Sequence, residues 1–305
     1  MRITTNMMVN QAQLAMQRAL ARLAETQRQL ADGRRIHGPE DDPAGYAAAT
    51  RLKARLDATV QFGRQATQAH AVLTAGEAVL ARVQPLLARM EELAVGGADG
   101  AKGPAERTNM ASEVNELLEE LVSLANSNDD GRYVLGGQET LSPPLRVTRD
   151  VAGNITAATW NPRGVDAPVS IDIAVGSSLQ TSVSGTAAFG DDGDATFLPT
   201  LFIQLRDALN ANDPDAVRTA MGGFAAVESR LGIAIADVGT RLRQADDALV
   251  NHEADELAAR QALSAILDAD LGTLSAELGQ HQIAYQASLR AAALAIQPSL
   301  ADFLL

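Results

Sequence analysis

Apolar residues recur with a repeat of seven at both ends of the chain. At the N-terminal end Met16, Leu23 and Leu30 step by seven, with Ala19 and Thr26 between them. At the C-terminal end Leu267, Leu271, Leu274, Leu278, His281, Tyr285, Ser288 and Ala292 step alternately by four and three. This spacing predicts helices that pair along a narrow seam, with each other or with neighbouring copies. Between the ends the pattern changes twice. A helix from Pro43 to about Val95 carries the seam Leu73, Gly76, Leu80, Val83, Leu87, Met90 and Ala94, with Pro85 expected to bend it. A second follows from Pro104 to near Asn128, with Met110, Val114, Leu117, Leu121 and Leu124 on one face.

From Arg132 the period shortens. Tyr133-Val134-Leu135 is strand-like, and Arg146-Val147-Thr148 and Ile155-Thr156 flank a turn at Gly153-Asn154. Val169, Ile171, Ile173 and Val175 alternate with polar or small residues, the period of a half-buried strand. Helical spacing returns with Leu198, Leu201, Leu205 and Leu209. Asp213-Pro214 then opens a helix whose seam is Phe224, Val227, Leu231, Ala234, Val238 and Leu242. No clear breaker is visible before Pro298, which predicts one helix of about 84 residues, about 126 Å long.

Punctuation supports these bounds. Residues 1–10 read as extended or frayed, and Gly33 as a left-handed cap on the first helix. Asp42 and Pro43 read as N-cap and first helical residue of the second. The expected fold is mainly α: a long antiparallel helical bundle or coiled coil formed by the terminal helices, with a small β-rich domain inserted mid-chain. The domains read as 1–42 with 258–305 (terminal helical part), 43–139 with 197–257 (helical rod) and 140–196 (β-rich insert).

Composition narrows the function. The 305 residues are 46% hydrophobic but only 3% aromatic, which suits thin helix-on-helix packing better than a deep enzyme core. The net charge of −13 argues against nucleic acid, whose phosphates need a basic face. Residues 1–60 hold 9 Lys/Arg against 6 Asp/Glu, and residues 201–305 hold 7 against 14, so the two ends attract. There is no cysteine, hence no disulfide, cysteine-bound zinc or thiol chemistry. No Sec-type signal peptide is read at the N-terminus, and no apolar run is read as approaching the roughly 18 residues of a membrane span.

Candidate chemistry is thin. His252-Glu253-Ala254-Asp255-Glu256 lacks the second histidine of a zinc-protease helix and reads as a solvated helix face. His37, His70 and His281 are scattered, with His281 on the C-terminal seam as a packed or hydrogen-bonded residue. Asp41 and Asp42 are adjacent, and capping accounts for Asp42 without catalysis. Gly136-Gly137 completes no phosphate loop, and Arg34-Arg35 is too short for a nucleic-acid patch but suits the acidic C-terminal helix. No cofactor and no enzyme activity are expected.

Several segments resemble the flagellin superfamily, in order along the chain. Met1-Arg2-Ile3-Thr4-Thr5-Asn6-Met7 resembles the opening of its hook–filament junction branch. Gly33-Arg34-Arg35-Ile36 through Asp41-Asp42-Pro43-Ala44-Gly45 resembles the motif G-x-R-I-N-x-x-x-D-D-P/A-A-G, with His37 in place of Asn. Arg89 to Val95 is similar to R-x-x-E-L-A-V, and Gly131 to Gly137 to G-x-Y-x-F-G-G. Asp268-Ala269-Asp270-Leu271, Gln282 to Leu289 and Ser299-Leu300-Ala301-Asp302-Phe303-Leu304 are similar to segments of the same branch, with Leu305 as an extension.

The resemblance implies a structural adaptor at the hook–filament junction of the bacterial flagellum. It implies type III export without a cleaved signal, and an extracellular location. The partners it implies are other copies of the chain, hook-associated protein 1 on the hook side, flagellin beyond, and an export chaperone on the C-terminal helix, with no nucleic acid and no membrane. The assembly seams would be Met16, Leu23 and Leu30, and Leu267, Leu271, Leu274, Leu278, Tyr285 and Ala292. The terminal helices would line the inner layer of a tube, with the insert facing outward. Residues of about 1–40 and 265–305 would order on assembly. The rival is flagellin itself, the bulk filament subunit. An enzyme or metal protein carried by the insert, or an adhesin-like surface there, is permitted by composition but indicated by no residue cluster.

Overall fold

A computed structural model describes residues 5–163 and 165–296. Fourteen elements follow in chain order: α1 (Thr5–Asp32), α2 (Pro43–Ala98), α3 (Pro104–Ala125), β1 (Asn128–Asp129), β2 (Arg132–Tyr133), β3 (Leu145–Arg149), β4 (Ile155–Trp160), β5 (Ser170–Ala174), β6 (Ser177–Gln180), α4 (Gly185–Phe189), α5 (Leu198–Asn210), α6 (Pro214–Met221), α7 (Phe224–Leu267) and α8 (Leu271–Ile296). The expected class holds: long helices at both ends, with small β hairpins mid-chain. Two compact units divide the chain, residues 1–58 with 255–305 and residues 59–254.

The main hydrophobic core lies wholly in the second unit, running from Ala66 to Ala245. The α2 seam supplies Leu73, Leu80, Val83, Leu87, Met90 and Ala94, all buried. Val114, Leu121 and Leu124 of α3 join them, as do Leu198, Leu201, Leu205 and Leu209 of α5. Glycines allow close approach: a Cβ on Gly76 would lie 2.4 Å from Val183 Cγ2, and one on Gly97 2.4 Å from Leu209 Cδ2. Three of the sparse aromatic residues gather in one place, where Trp160 packs on Phe189 and Phe197 at centroid distances of 6.0 and 5.9 Å. Trp160 Nε1 donates to Gly190 O at 2.8 Å.

Three antiparallel two-stranded hairpins, not one sheet, make up the β-rich part. β1–β2 turns through Asp130 and Gly131, both at positive φ, which glycine adopts without strain at the second position. β3–β4 pairs Leu145 with Trp160 and Val147 with Ala158, and Asp150 closes its turn by accepting from Ala152 N and Asn154 N. In β5–β6 the expected alternation ends early: Ile173 is buried, but Val175 lies in the turn and is exposed.

Three expectations need correction. Residues 5–10 are helical, not extended. The single helix from Pro214 is three helices. It breaks first at Gly222-Gly223, where a Cβ on Gly223 would lie 2.9 Å from Leu201 Cδ1, so close packing against α5 selects glycine. It breaks again at 268–270. α2 also contains an 18-residue window of mean hydropathy 1.3, apolar enough by composition for a membrane span. Its buried seam is instead the core of the second unit.

Two buried arginines hold that unit's loops. Arg107, 3% exposed, donates from Nε to Gly97 O at 2.9 Å, from Nη2 to Asp99 O at 2.7 Å and from Nη1 to Asn212 Oδ1 at 2.5 Å. It thus ties the end of α2 to the turn after α5. Arg206 donates from Nη1 to Ile155 O at 2.7 Å and from Nε to Asp207 Oδ1 at 2.9 Å. Replacing Arg107 strands these acceptors in a buried site. Arg107→Ala is expected to destabilise the protein by about 3 kcal/mol, against almost nothing for exposed Arg243→Ala. Urea unfolding checks this; near-equal midpoints for the two variants would refute the tie.

Candidate assembly surface

The first unit is built on α1 and α8, which pack against each other. Their register is set where α1 ends. Gly33 turns the chain at φ +68°. Ala269 N then donates to Gly33 O at 2.9 Å, and Arg35 N donates to Leu267 O at 2.7 Å, on either side of an antiparallel bridge between Arg34 and Asp268. The end of α1 therefore meets the start of α8, and the two helices run antiparallel. Arg35 Nη2 donates to Ile266 O at 3.0 Å, placing a cation at the C-terminus of α7, where the helix dipole favours it. Arg35 thus faces the end of α7 through its carbonyls.

Both helices after this crossing start on an aspartate. Asp42 Oδ1 accepts from Gly45 N at 2.9 Å, with Pro43 as the first residue of α2. Asp270 Oδ1 accepts from Gly272 N at 2.9 Å and its Oδ2 from Thr273 Oγ1 at 2.8 Å. Periodicity missed the Asp270 cap, because the 4-3 spacing of Leu267, Leu271 and Leu274 runs straight across it. The usable signal was Asp270 followed two residues later by Gly272, a cap before a weak helix former.

The expected seam residues fall as follows. Met16, Leu23 and Leu30 are half-buried on one stripe of α1, with Ala19 half-buried and Thr26 buried between them. On α8, Leu274 is buried, and Leu278, His281, Tyr285, Ser288 and Ala292 are half-buried on one stripe. These stripes are the least exposed faces of two helices that pack on each other, so they face inward within one chain. Leu267 is half-buried as the last residue of α7, on the far side of the break. Leu271, at the start of α8, is 55% exposed and is not part of this stripe. Sequence periodicity did not mark the outward apolar residues. Met7, Leu14 and Leu20 of α1 and Ile283 and Leu289 of α8 are exposed. Met7 and Leu14 are seven apart and fall opposite the Met16–Leu23–Leu30 stripe. Charges accompany them: Arg18 and Arg22 of α1 are exposed.

His252 is half-buried in the second unit, not solvated as expected. It stacks on Phe62 at 6.2 Å, and its Nε2 lies 2.6 Å from Ile173 O, fastening β5 to α7. His37 lies beside Asp32, Nε2 to Oδ2 at 3.2 Å. Among the described residues no group of three or more His, Asp or Glu is placed to hold a metal ion. Asp41 accepts from His37 N at 2.9 Å and Gly38 N at 3.2 Å.

Residues 3–140 match the family described as the bacterial flagellin N-terminal helical region. With the paired terminal helices, this makes the N-terminal part of the chain similar to the flagellin class. Within that class, it is 26% identical to flagellar hook-associated protein 3 of Escherichia coli (strain K12), over 95% of this chain and 96% of that protein. Polar flagellin F of Vibrio parahaemolyticus is 28% identical, but over only 44% of this chain and 36% of its own length. The crystal structure of Xanthomonas campestris FlgL has the same fold, with a TM-score of 0.59 at 19% identity, over 70% of this chain and 99% of that one. The similarity to flagellar hook-associated protein 3 thus runs along nearly the whole of both sequences.

Two aspartates near the crossing carry a pH signature. Backbone donors from His37 and Gly38 hold the Asp41 carboxyl below its ordinary value. The Thr273 hydroxyl, then the Gly272 and Thr273 amides, do the same for Asp270. A depressed folded-state value contributes stability that is complete above the unfolded value, near pH 4, and is lost as pH falls through the folded one. Helical ellipticity of the first unit is therefore expected to melt at lower temperature as pH falls below about 4. Asp270→Asn should flatten that dependence; an unchanged pH profile would rule the cap out as its source.

Proposed function

We propose that this chain is a structural adaptor at the hook–filament junction of the bacterial flagellum, joining the hook-side junction protein to flagellin. One observation carries the reading: similarity to flagellar hook-associated protein 3 spans 95% of the chain, whereas the flagellin match spans 44%. The exposed apolar residues of the terminal unit supply a physical basis. A two-helix hairpin has one seam for its partner helix, and Met7, Leu14 and Ile283 on the opposite faces are open to contact with another protein. Head-to-tail contacts between copies use such faces to build a ring or tube.

In this reading residues 1–42 and 258–305 form the tube-building part, 43–139 and 197–257 the helical rod and 140–196 an outer insert. The inner seams are Met16, Leu23 and Leu30 against Leu274, Leu278, Tyr285 and Ala292. Leu267 and Leu271 flank the cap at Asp270. Partners are further copies, hook-associated protein 1, flagellin and, before export, a chaperone on the C-terminal helix. Export proceeds without a cleaved signal, and the role is structural, not catalytic.

Flagellin is the second reading, favoured by the match of the N-terminal family alone. Immunogold labelling of intact flagella separates them. A single labelled band at the hook–filament boundary is expected; label along the whole filament would assign the chain to the bulk subunit.

Burial sets a second expectation. Among the described residues, the first unit buries few apolar side chains, Ile36, Ala49, Ala259 and Leu274, and contributes none to the main core. Stability is local where core contacts are few. Amides of α1 and α8 are expected to exchange at least a hundredfold faster than those of α3 and α5 in the free protein, and to slow on assembly. Equal protection of both units in dilute monomer would contradict this.

A further inference from the structure

The first unit contains a cleft of about 520 Å³ beside the crossing of residues 33–35 with 267–269. Its walls come from the start of α2, the end of α7 and the segment between α1 and α2. Ile36 and Ala49 are almost fully buried at its base, Leu56, Leu263 and Leu267 are half-buried along it, and Tyr46 stands 39% exposed. Its polar lining is unbalanced. Arg34, Lys53 and Arg260 bring three cations, while Asp57 and Asp268 bring two carboxylates. Arg260 pairs with Glu256, and Asp268 accepts from Ser264 Oγ at 2.5 Å. Lys53 is exposed and lies in no ion pair among the described residues. The cleft thus suits a short apolar segment carrying a negative charge.

The chain itself contains such a segment outside the described residues. Residues 297–305 read Gln-Pro-Ser-Leu-Ala-Asp-Phe-Leu-Leu, four large apolar side chains around a single charge, Asp302. The four residues at the other end, Met1 to Thr4, carry the cation Arg2 and fit the lining less well. Reach then decides which copy supplies the segment. The cleft lies at the start of α8. The 26 residues of α8 carry the chain about 39 Å away from it, at 1.5 Å per residue. Nine further residues span at most about 32 Å. A copy's own residues 297–305 fall short of its own cleft.

We propose that this cleft receives residues 297–305 of a neighbouring copy, with Phe303 and the leucines on the apolar floor and Asp302 facing Lys53 and Arg260. The contact is heterologous, since cleft and segment lie at opposite ends of α8, and such contacts propagate along an axis. It rests on the reading that the chain assembles with itself, and supplies one contact for that assembly.

The test uses the full-length protein and a fluorescein-labelled peptide of residues 296–305, followed by anisotropy. Saturable binding is expected. It should weaken at least tenfold for Lys53→Glu/Arg260→Glu protein, and to a similar extent for a peptide with Phe303→Ala. Arg243→Glu, on α7 in the second unit, should leave it unchanged. Circular dichroism checks that each variant keeps its helices, and Tyr46→Ala gives an uncharged alternative if the double reversal does not fold. No saturable binding at millimolar peptide, binding indifferent to the cleft variants, or stronger binding by a peptide of residues 1–10 would each overturn the proposal. None of these outcomes bears on where immunogold places the protein, so the two readings fail separately.

Discussion

The terminal unit depends on one short antiparallel crossing. Two main-chain hydrogen bonds, Arg35 N to Leu267 O and Ala269 N to Gly33 O, clasp the segment after α1 to the segment before α8. Leu267 ends α7, so its carbonyl has no partner within the helix, and Gly33, Arg35 and Ala269 lie outside helices; all four groups are free to pair. The crossing fixes which turn of α1 meets which turn of α8. A repeat of seven leaves that choice open, because sliding one helix by a heptad again matches apolar with apolar. Gly33 at positive φ, the Arg35 guanidinium on the last carbonyls of α7, and the aspartate caps at 42 and 270 all lie within a few residues of this point. The crossing sets their register.

Much of this was legible in the sequence, and the misses share a cause. The seams of α2, α3 and α5 follow from side-chain spacing, since burial on one face of a helix imposes that period. Asp42-Pro43 announced its helix start for the same local reason. The breaks at 222–223 and 268–270 were hidden because the apolar spacing continues on both sides of each. Spacing reports which face is buried, not whether the backbone is continuous. The roles of Arg107 and Arg206 were illegible for a different reason. Their main acceptors are carbonyls, which every residue has, so no residue type marks the partner. His252 was misread as solvated because its partner, Ile173 O, is 79 residues away. The outward stripe of Met7 and Leu14 was overlooked because a second apolar face on one helix is invisible to a search for a single seam.

The two units solve different problems with the same scarcity of aromatic residues. The second unit concentrates Trp160, Phe189, Phe197 and Phe202 in one buried cluster and packs its helices closely through glycine. It therefore completes its own core. The first unit uses alanine, leucine and threonine along a two-helix interface, which covers only one side of each helix. A hairpin of this kind buries too little to be stable alone to the same degree. Its exposed apolar residues and its cleft are what an assembling part retains when its remaining partners are other molecules.

This division also orders the folding of the chain. Pairing α1 with α8 directly would close a loop of about 235 residues, costing about 5 kcal/mol in chain entropy by the (3/2)RT ln n rule before any contact repays it. The second unit can close through shorter loops, with α3 meeting α5 and Arg107 meeting Asn212 ahead of the Phe62–His252 contact. α2 and α3 are joined by a short turn, and α5, α6 and α7 follow one another. Once that unit forms, Phe62 stacks on His252, and two positions 190 residues apart in sequence lie in contact. The same stack holds the departing ends of α2 and α7 together, so α1 and α8 meet at the price of a much shorter loop. Core first, crossing second and outer faces last is the sequence of steps that loop entropy favours. It leaves the adhesive surfaces unfinished until a neighbour is present to cover them.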